Sequence, residues 1–301
     1  MNVKTSPLVS VVVPHFNRHD LLPSLIQNVV AQTYRPIELL IVDDGSYVPV
    51  SLSDGVHEGV LLRVISLPHT GRPGLVRNAG IDLANGDLLA FLDSDDVWLP
   101  EKLSRQVSVF SNFPDIGLVH SNAYIIKGKE RVNLLKRHCT GYAVKYSSLL
   151  KGNIVLTSSV MARKSLFETN KFSGLKSAQD YELWLKFADK FKFYYLEDPL
   201  FTYDHVCETR ISKNGIRRYL CLLRVFRTIC RISESKELKN IVLRRMAGFY
   251  FKLAKYSLLA HRELRCRKML IKSLRILPTM RAAVALLMSY SRLAFKRKRV
   301  F

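Results

Sequence analysis

The chain has 301 residues, 48% of them apolar, and a net charge of +22, with no internal repeat and no low-complexity linker. That is enough apolar chain for a real core, and five cysteines, odd in number and without CxxC spacing, exclude a disulfide framework or a zinc site. The charge is uneven: residues after 200 carry 25 Lys and Arg against 5 Asp and Glu, and residues 1–200 carry 22 against 20, so a nearly neutral part precedes a strongly basic one. Such asymmetry points to an anionic partner, whether a membrane surface, a nucleic acid or a charged substrate.

The first predicted element is a strand, Val9–Val13, which ends in Pro14-His15-Phe16-Asn17. A helix over Asp20–Gln32 follows, then a strand over Ile37–Val42 that ends in Asp43-Asp44-Gly45-Ser46. A strand near Leu61–Ser66 precedes a helix over Pro73–Ala84, started by Pro73 and stopped by Asn85-Gly86. Strand Leu88–Leu92 then empties into Asp93-Ser94-Asp95-Asp96. This alternation predicts a parallel, helix-flanked sheet. Residues 116–165 read as mixed strands and loops, including a strand over Ile154–Met161. A helix over Gln179–Lys190 and short strands at Phe193–Leu196 and Leu200–Tyr203 come next. From about Lys213 the pattern is helical and studded with Arg and Lys.

Three strands therefore end in polar groups, and open α/β sheets bind ligands at the carboxyl edge of their strands. Residues two apart on an extended backbone point the same way, so Asp93 and Asp95 are expected to share one face. Two such carboxylates make a hard-oxygen site suited to Mg²⁺ or Mn²⁺ and a diphosphate. Asp96 instead suits the N-cap of a helix starting near Leu99-Pro100-Glu101. Asp43 and Asp44 also suit an Asx-turn, and Arg72 and Arg77 also suit solvated surface charges. A Rossmann dinucleotide enzyme is disfavoured, because no GxGxxG follows the first strand.

In order, VSVVVPHFNR, IVDDGS, GRPGLVRNAGIDLANGDLLAFLDSDD and SAQDYELWLKF resemble a family 2 glycosyltransferase of the GT-A fold, over roughly residues 8–212. The resemblance implies an α/β fold: a Rossmann-like mixed sheet flanked by helices, with a helical C-terminal extension. It divides the chain into a GT-A domain over 1–212, with a donor half to about 115 and an acceptor half from 116, and a basic helical region over 213–301. The implied activity is inverting, metal-assisted transfer of a sugar from a nucleotide-sugar, a UDP-sugar above others, to a hydroxyl of a glycan or lipid-linked acceptor. Cell-surface polysaccharide biosynthesis is the implied setting, and Mn²⁺ or Mg²⁺ the implied cofactor. By the same resemblance Asp44 contacts the base, the backbone near Pro14 with Phe16 lines the base pocket, and Arg72 contacts the nucleotide. Asp93 sits on the ribose side, Asp95 ligates the metal, His205 completes the coordination, and Asp180 is the base. Two departures stand out: Gln179 replaces the usual Glu before Asp180, and Tyr203-Asp204-His205 lacks the usual neighbouring Arg. A position near a helix N-terminus favours the ionised carboxylate that a base requires. Trp184 reads as core.

The basic third mixes apolar and cationic residues at helical spacing, as in NIVLRRMAGFYFKLAKYSLL. No stretch reaches the approximately 18 uninterrupted apolar residues of a spanning helix, which favours an amphipathic helix lying in an interface. The cluster Lys296-Arg297-Lys298-Arg299 would contribute about 1 kcal/mol per charge near an anionic leaflet. The expected location is cytoplasmic, peripherally attached to the inner face of the cell membrane; the first apolar run, Leu8–Val13, is too short for a signal peptide. Helices packed with solvated Lys and Arg faces are the plainer alternative. No nucleic-acid partner is expected, since no zinc finger, RNP-like motif or helix-turn-helix is present. A nucleic-acid-binding protein and a sugar-nucleotide pyrophosphorylase-like enzyme remain the alternative functions, although the latter's Gly-rich loop is replaced here by PHFN.

Overall fold

The computed structural model describes residues 6–127, 130–136, 140–141, 145–203 and 214–290. The chain divides into two compact units, Met1–Cys207 and Glu208–Phe301.

The first unit is built on β1 (Val9–His15), β2 (Ile37–Asp43), β4 (Val60–Ser66) and β5 (Leu88–Phe91). These four run parallel in the order β4-β2-β1-β5. All of β2 and β5, and β1 except Pro14, are buried, as expected of strands covered by helices on both faces. One face carries α1 (Leu22–Val30) and α3 (Lys102–Asn112), whose Leu25, Val29, Leu103 and Val107 pack with Val9, Val11 and Val13. The other carries α2 (Pro73–Leu83). It approaches so closely at Gly80 that a Cβ there would lie 2.6 Å from Val12 Cγ1, so only glycine fits. The register pairs His15 with Asp43 and Val12 with Phe91, which brings the ends of β1, β2 and β5 to one edge.

Beyond β5 the sheet is mixed, not parallel. Strand β9 (Met161–Arg163) runs antiparallel to β5 and to β7 (Ile116–Lys127). Strand β7 is parallel to β10 (Lys192–Tyr203) and forms a hairpin with β8 (Glu130–Asn133). The two-residue β6 (Val97–Trp98) closes one edge against β10, and β3 (Gly55–His57) the other against β4. Helix α4 (Tyr146–Lys151) precedes β9, and α5 (Gln179–Ala188) precedes β10. Trp184 of α5 is fully buried among Phe91, Phe172 and Phe187, as its sequence context predicted.

Several expected elements change. Residues 154–161 do not form a strand: Thr157–Ser159 make a 3-10 turn, and the strand begins at Met161. The two short strands at 193–203 are one strand, whose register shifts at Pro199, where the ladder lacks an N–H donor. The first helix opens with a separate 3-10 turn, His19–Leu21.

Among its described residues the second unit is helical: α6 (Gly215–Ile232), α7 (Lys236–Leu259), α8 (Glu263–Ile276) and α9 (Met280–Met288). Asn214, Ser235 and Thr279 cap α6, α7 and α9, each side-chain oxygen accepting a first-turn amide. Phe226 of α6 meets Phe249 of α7 edge-on at 5.1 Å, and Phe251, Ala254, Cys266, Leu270, Ala282 and Ala285 knit α7, α8 and α9 together.

Candidate functional site

The acidic loop after β5 is a turn. Asp96 N donates to the Asp93 carbonyl at 3.0 Å, so the turn, and not strand alternation, gathers the carboxylates. Oxygens of Asp93, Asp95 and Asp96 lie within 4.8 Å of one another. Three like charges so close repel unless partners offset them. Arg77 pairs with Asp93, Arg18 Nη1 lies 3.2 Å from Asp95, and Ser158 Oγ donates to Asp96 at 2.6 Å. Arg18 also donates to Ser94 Oγ at 3.2 Å. Asp96 is therefore not the cap of α3, which begins six residues later, after Glu101. An all-carboxylate donor set, partly open to solvent, fits a hard divalent cation.

Arg77 departs from the plainer of its two readings. It is 4% exposed, with its guanidinium 5.5 Å from the Phe172 ring, and is no solvated surface charge. Arg72, the residue expected to touch the nucleotide, is exposed at the start of α2. Its Nη1 lies where a Cβ on Gly174 would come within 3.0 Å.

The loops after β1 and β2 interlock with the loop before α2. Asp44 accepts from Thr70 N and Thr70 Oγ1, both at 2.8 Å, and from Gly71 N at 2.9 Å. The carboxylate thus ties down the loop before α2. The intervening Gly45 has φ +69, and a Cβ there would lie 2.6 Å from His69 N. Phe16, just past Pro14 and the end of β1, stacks on His69 at 4.3 Å and meets Tyr47 edge-on at 5.9 Å. Asn17 at φ 50 links the loops: its N–H donates to Ser46 Oγ at 2.8 Å, and its Oδ1 accepts from Tyr47 N at 2.9 Å. Asp43 accepts from Ser46 Oγ at 2.5 Å and from Ser46 N at 3.3 Å, the Asx-type turn that its sequence also suited.

Asp180 lies in the first turn of α5, half-buried, and accepts from Thr157 Oγ1 at 3.3 Å. The preceding Ala178 is left-handed at φ 61, a conformation costing a non-glycine residue about 1 kcal/mol, so packing imposes this entry to the helix. His205 lies outside the described residues. Arg18, His69 and Ser158 were not singled out in the sequence. Arg18 directly follows the PHFN motif, but nothing local marks Ser158, whose partner is 62 residues away.

Beneath the site, Lys102 is fully buried, its Nζ 4.0 Å from the Trp98 ring centre and donating to Gln106 Oε1 at 2.6 Å. Burial pushes its pKa well below the usual lysine value.

A mixed sheet of this order, with an acidic turn after the fourth parallel strand, is the GT-A glycosyltransferase fold. The sequence profile described as Glycosyl transferase family 2 matches residues 10–177, more than half of the chain, and the chain belongs to that family. Among relatives, an uncharacterized glycosyltransferase of Rickettsia prowazekii is 28% identical over 211 residues, 65% of this chain and 63% of that protein. The match thus spans a little under two thirds of that relative. The Escherichia coli protein WfgD, named a UDP-Glc:alpha-D-GlcNAc-diphosphoundecaprenol beta-1,3-glucosyltransferase, is 28% identical over 59% of this chain and 68% of its own length. Among solved structures, Staphylococcus aureus TarS 1-349 in complex with UDP-GlcNAc superposes with a TM-score of 0.65 at 19% identity, over 93% of this chain and 84% of that one. The Pyrobaculum calidifontis mannosyltransferase PcManGT, in complex with GDP-Man and Mn²⁺, gives 0.60 at 16% identity, over 99% and 84%.

Proposed function

We propose that this chain is an inverting glycosyltransferase that moves a sugar from a nucleoside-diphosphate donor, a UDP-sugar, to a hydroxyl of a lipid-linked or glycan acceptor in cell-surface polysaccharide synthesis. The observation that carries the reading is the three-carboxylate turn at the edge where β1, β2 and β5 end. Family membership and a lipid-linked acceptor in a relative's name support it.

Asp95, with Asp93 and Asp96, would hold Mg²⁺ or Mn²⁺, His205 completing the set. A bound divalent ion supplies charge neutralisation for the departing diphosphate. Asp93 reaches the ribose side, and Arg72 supplies a further cation beside the phosphates. Phe16, with the Pro14 backbone, offers an apolar wall to the base, and Asp44 fixes the loop that borders it and contacts the base. Asp180 accepts the acceptor hydroxyl's proton as the oxygen attacks the anomeric carbon opposite the diphosphate. One C–O bond forms, the bond to the leaving phosphate oxygen breaks, and the configuration inverts. Such a base contributes about 10²–10⁴-fold.

The second unit is assigned to an anionic membrane surface at the cytoplasmic face. Met280, Val284 and Leu287 are exposed on α9, ahead of the basic residues 292–299. Among the described residues no helix is long and apolar enough to cross a membrane.

A thermal-shift screen of nucleotide-sugars with Mn²⁺ tests the donor assignment. A UDP-sugar should raise the melting temperature in a metal-dependent way. The product it then gives should show the inverted anomer by NMR. Retained configuration, or stabilisation by no nucleotide-sugar, contradicts the proposal.

A further inference from the structure

The Thr157–Ser159 turn belongs to neither segment that carries the site's acids, and it touches both. Ser158 Oγ donates its only proton to Asp96 Oδ2 at 2.6 Å and accepts from Asp93 N at 3.1 Å. One hydroxyl therefore grips both ends of the acidic turn. The next residue back, Thr157, donates through Oγ1 to Asp180 Oδ2 at 3.3 Å.

The turn is itself clamped from below. Trp98 Nε1 donates to the Ser158 carbonyl at 2.8 Å, and Gln106 Nε2 to the Ser159 carbonyl at 2.7 Å. Gln106 is in turn held by Lys102. Ser158, Ser159, Trp98, Lys102 and Gln106 are each 1% exposed or less. Water does not replace these bonds in such an interior, so each lost partner leaves a buried polar group unsatisfied. The turn can neither slide nor rotate without breaking several bonds together.

We propose that Thr157 and Ser158 are the positioning pair of this site: Ser158 holds the metal-binding turn, Thr157 holds the base, and their adjacency sets the spacing between the two. The inference rests on reading Asp93–Asp96 as the metal and diphosphate end and Asp180 as the base. Ser158 then acts on donor binding and Thr157 on turnover, although the two are neighbours in one turn.

The test uses the full chain and three variants: Ser158→Ala, Thr157→Val and Thr157→Ser. Mn²⁺ uptake with UDP is followed by the loss of the free-Mn²⁺ EPR signal, and turnover is measured separately with the donor found above. Ser158→Ala should weaken Mn²⁺ uptake about 10- to 100-fold, the usual cost of removing a hydrogen-bond partner from a metal ligand. Thr157→Val should leave uptake within about twofold while kcat falls about 10-fold, and Thr157→Ser, which restores the hydroxyl, should recover kcat. If Ser158→Ala does not fold, the Thr157 pair decides the matter. Wild-type uptake in Ser158→Ala, or a Thr157→Val defect that Thr157→Ser leaves in place, overturns the inference alone. A wild-type chain that takes up no Mn²⁺ with UDP overturns the functional reading, and the inference with it.

Discussion

In the described residues of 6–203 the buried charges are held by short-range hydrogen bonds, whereas in residues 214–290 cations outnumber acids and several lie against rings. Glu38 illustrates the first unit: it is fully buried and accepts from Ser10 Oγ, Arg63 Nη1, Asn85 N and Asn85 Nδ2 at 2.6–2.9 Å. Burial alone would raise its pKa, yet these donors outweigh it and hold the carboxyl below the ordinary 4.5. In the second unit Arg245 sits 5.0 Å from the Phe249 ring, Arg267 4.4 Å from Tyr290, and Arg281 4.8 Å from Phe251. Aromatic faces steady these guanidinium groups but carry no net charge to cancel them, although Arg267 also pairs with Glu263 at 3.6 Å. Charge in the first unit fixes geometry; in the second, on the proposal above, it serves recognition. Substitutions in the two should fail in different ways.

The sharpest contrast comes from Asp180→Asn. It should lower kcat about 10²–10⁴-fold in a transfer assay with little change in folding, because proton acceptance is lost and size is kept. Replacing an exposed cation of the second unit, such as Lys268→Gln, should leave kcat on a soluble acceptor unchanged. A comparable loss there would erase the distinction. Next in size, Trp184→Ala should cost about 3–5 kcal/mol in urea unfolding, because it opens a cavity among Phe91, Phe172 and Phe187.

Glu38→Gln should destabilise the fold by about 1–3 kcal/mol near pH 7, the cost of losing bonds to a buried charge. Because the folded pKa is depressed, this stability is present above about 4.5, the unfolded value, and is lost as pH falls through the folded value. The gap between wild type and Glu38→Gln should therefore close below pH 4.5 in thermal melts. A gap constant down to pH 3 would show that the group is not held ionised. The smallest effect per residue belongs to the basic end: each Lys or Arg removed from 292–299 should cost about 1 kcal/mol of binding to anionic vesicles. Binding should fade as salt rises, since exposed charges more than about 10 Å apart are screened at 0.1 M. Truncation after Tyr290 keeps Ala282 and Ala285 in their core, and so tests surface attraction without unfolding α9.

The sequence was most informative where both faces of an element are covered. Strands β1, β2 and β5 are mostly apolar and buried because helices cover both sides, with Ser10 and Glu38 as polar exceptions that bond to each other, and α2 is bracketed by Pro73 and Asn85-Gly86. Legibility fails where long-range pairing decides the outcome. The residues around Thr157 read Ile154-Val155-Leu156-Thr157-Ser158-Ser159-Val160, a β-rich composition that nonetheless breaks into a turn. It does so because its hydroxyls and carbonyls are claimed by Asp96, Asp180, Trp98 and Gln106 from remote segments. The acidic motif was legible as chemistry but not as geometry, since a hydrogen-bonded turn and a strand end leave the same four letters. A surface charge stayed open for Arg77 because nothing local shows that Asp93 and Phe172 enclose it.

The most direct test of the division of labour at the sheet edge is calorimetric titration of the UDP-sugar, with Mn²⁺, into wild type, Asp95→Asn and Asp180→Asn. Asp95→Asn should lose metal-dependent binding by more than about 100-fold, since a neutral amide is a poor ligand for a hard cation. Asp180→Asn should bind as tightly as wild type, because the base engages the acceptor and not the donor. Binding that survives Asp95→Asn in full, or falls equally in both variants, would contradict the assignment of donor and base to separate parts of this site.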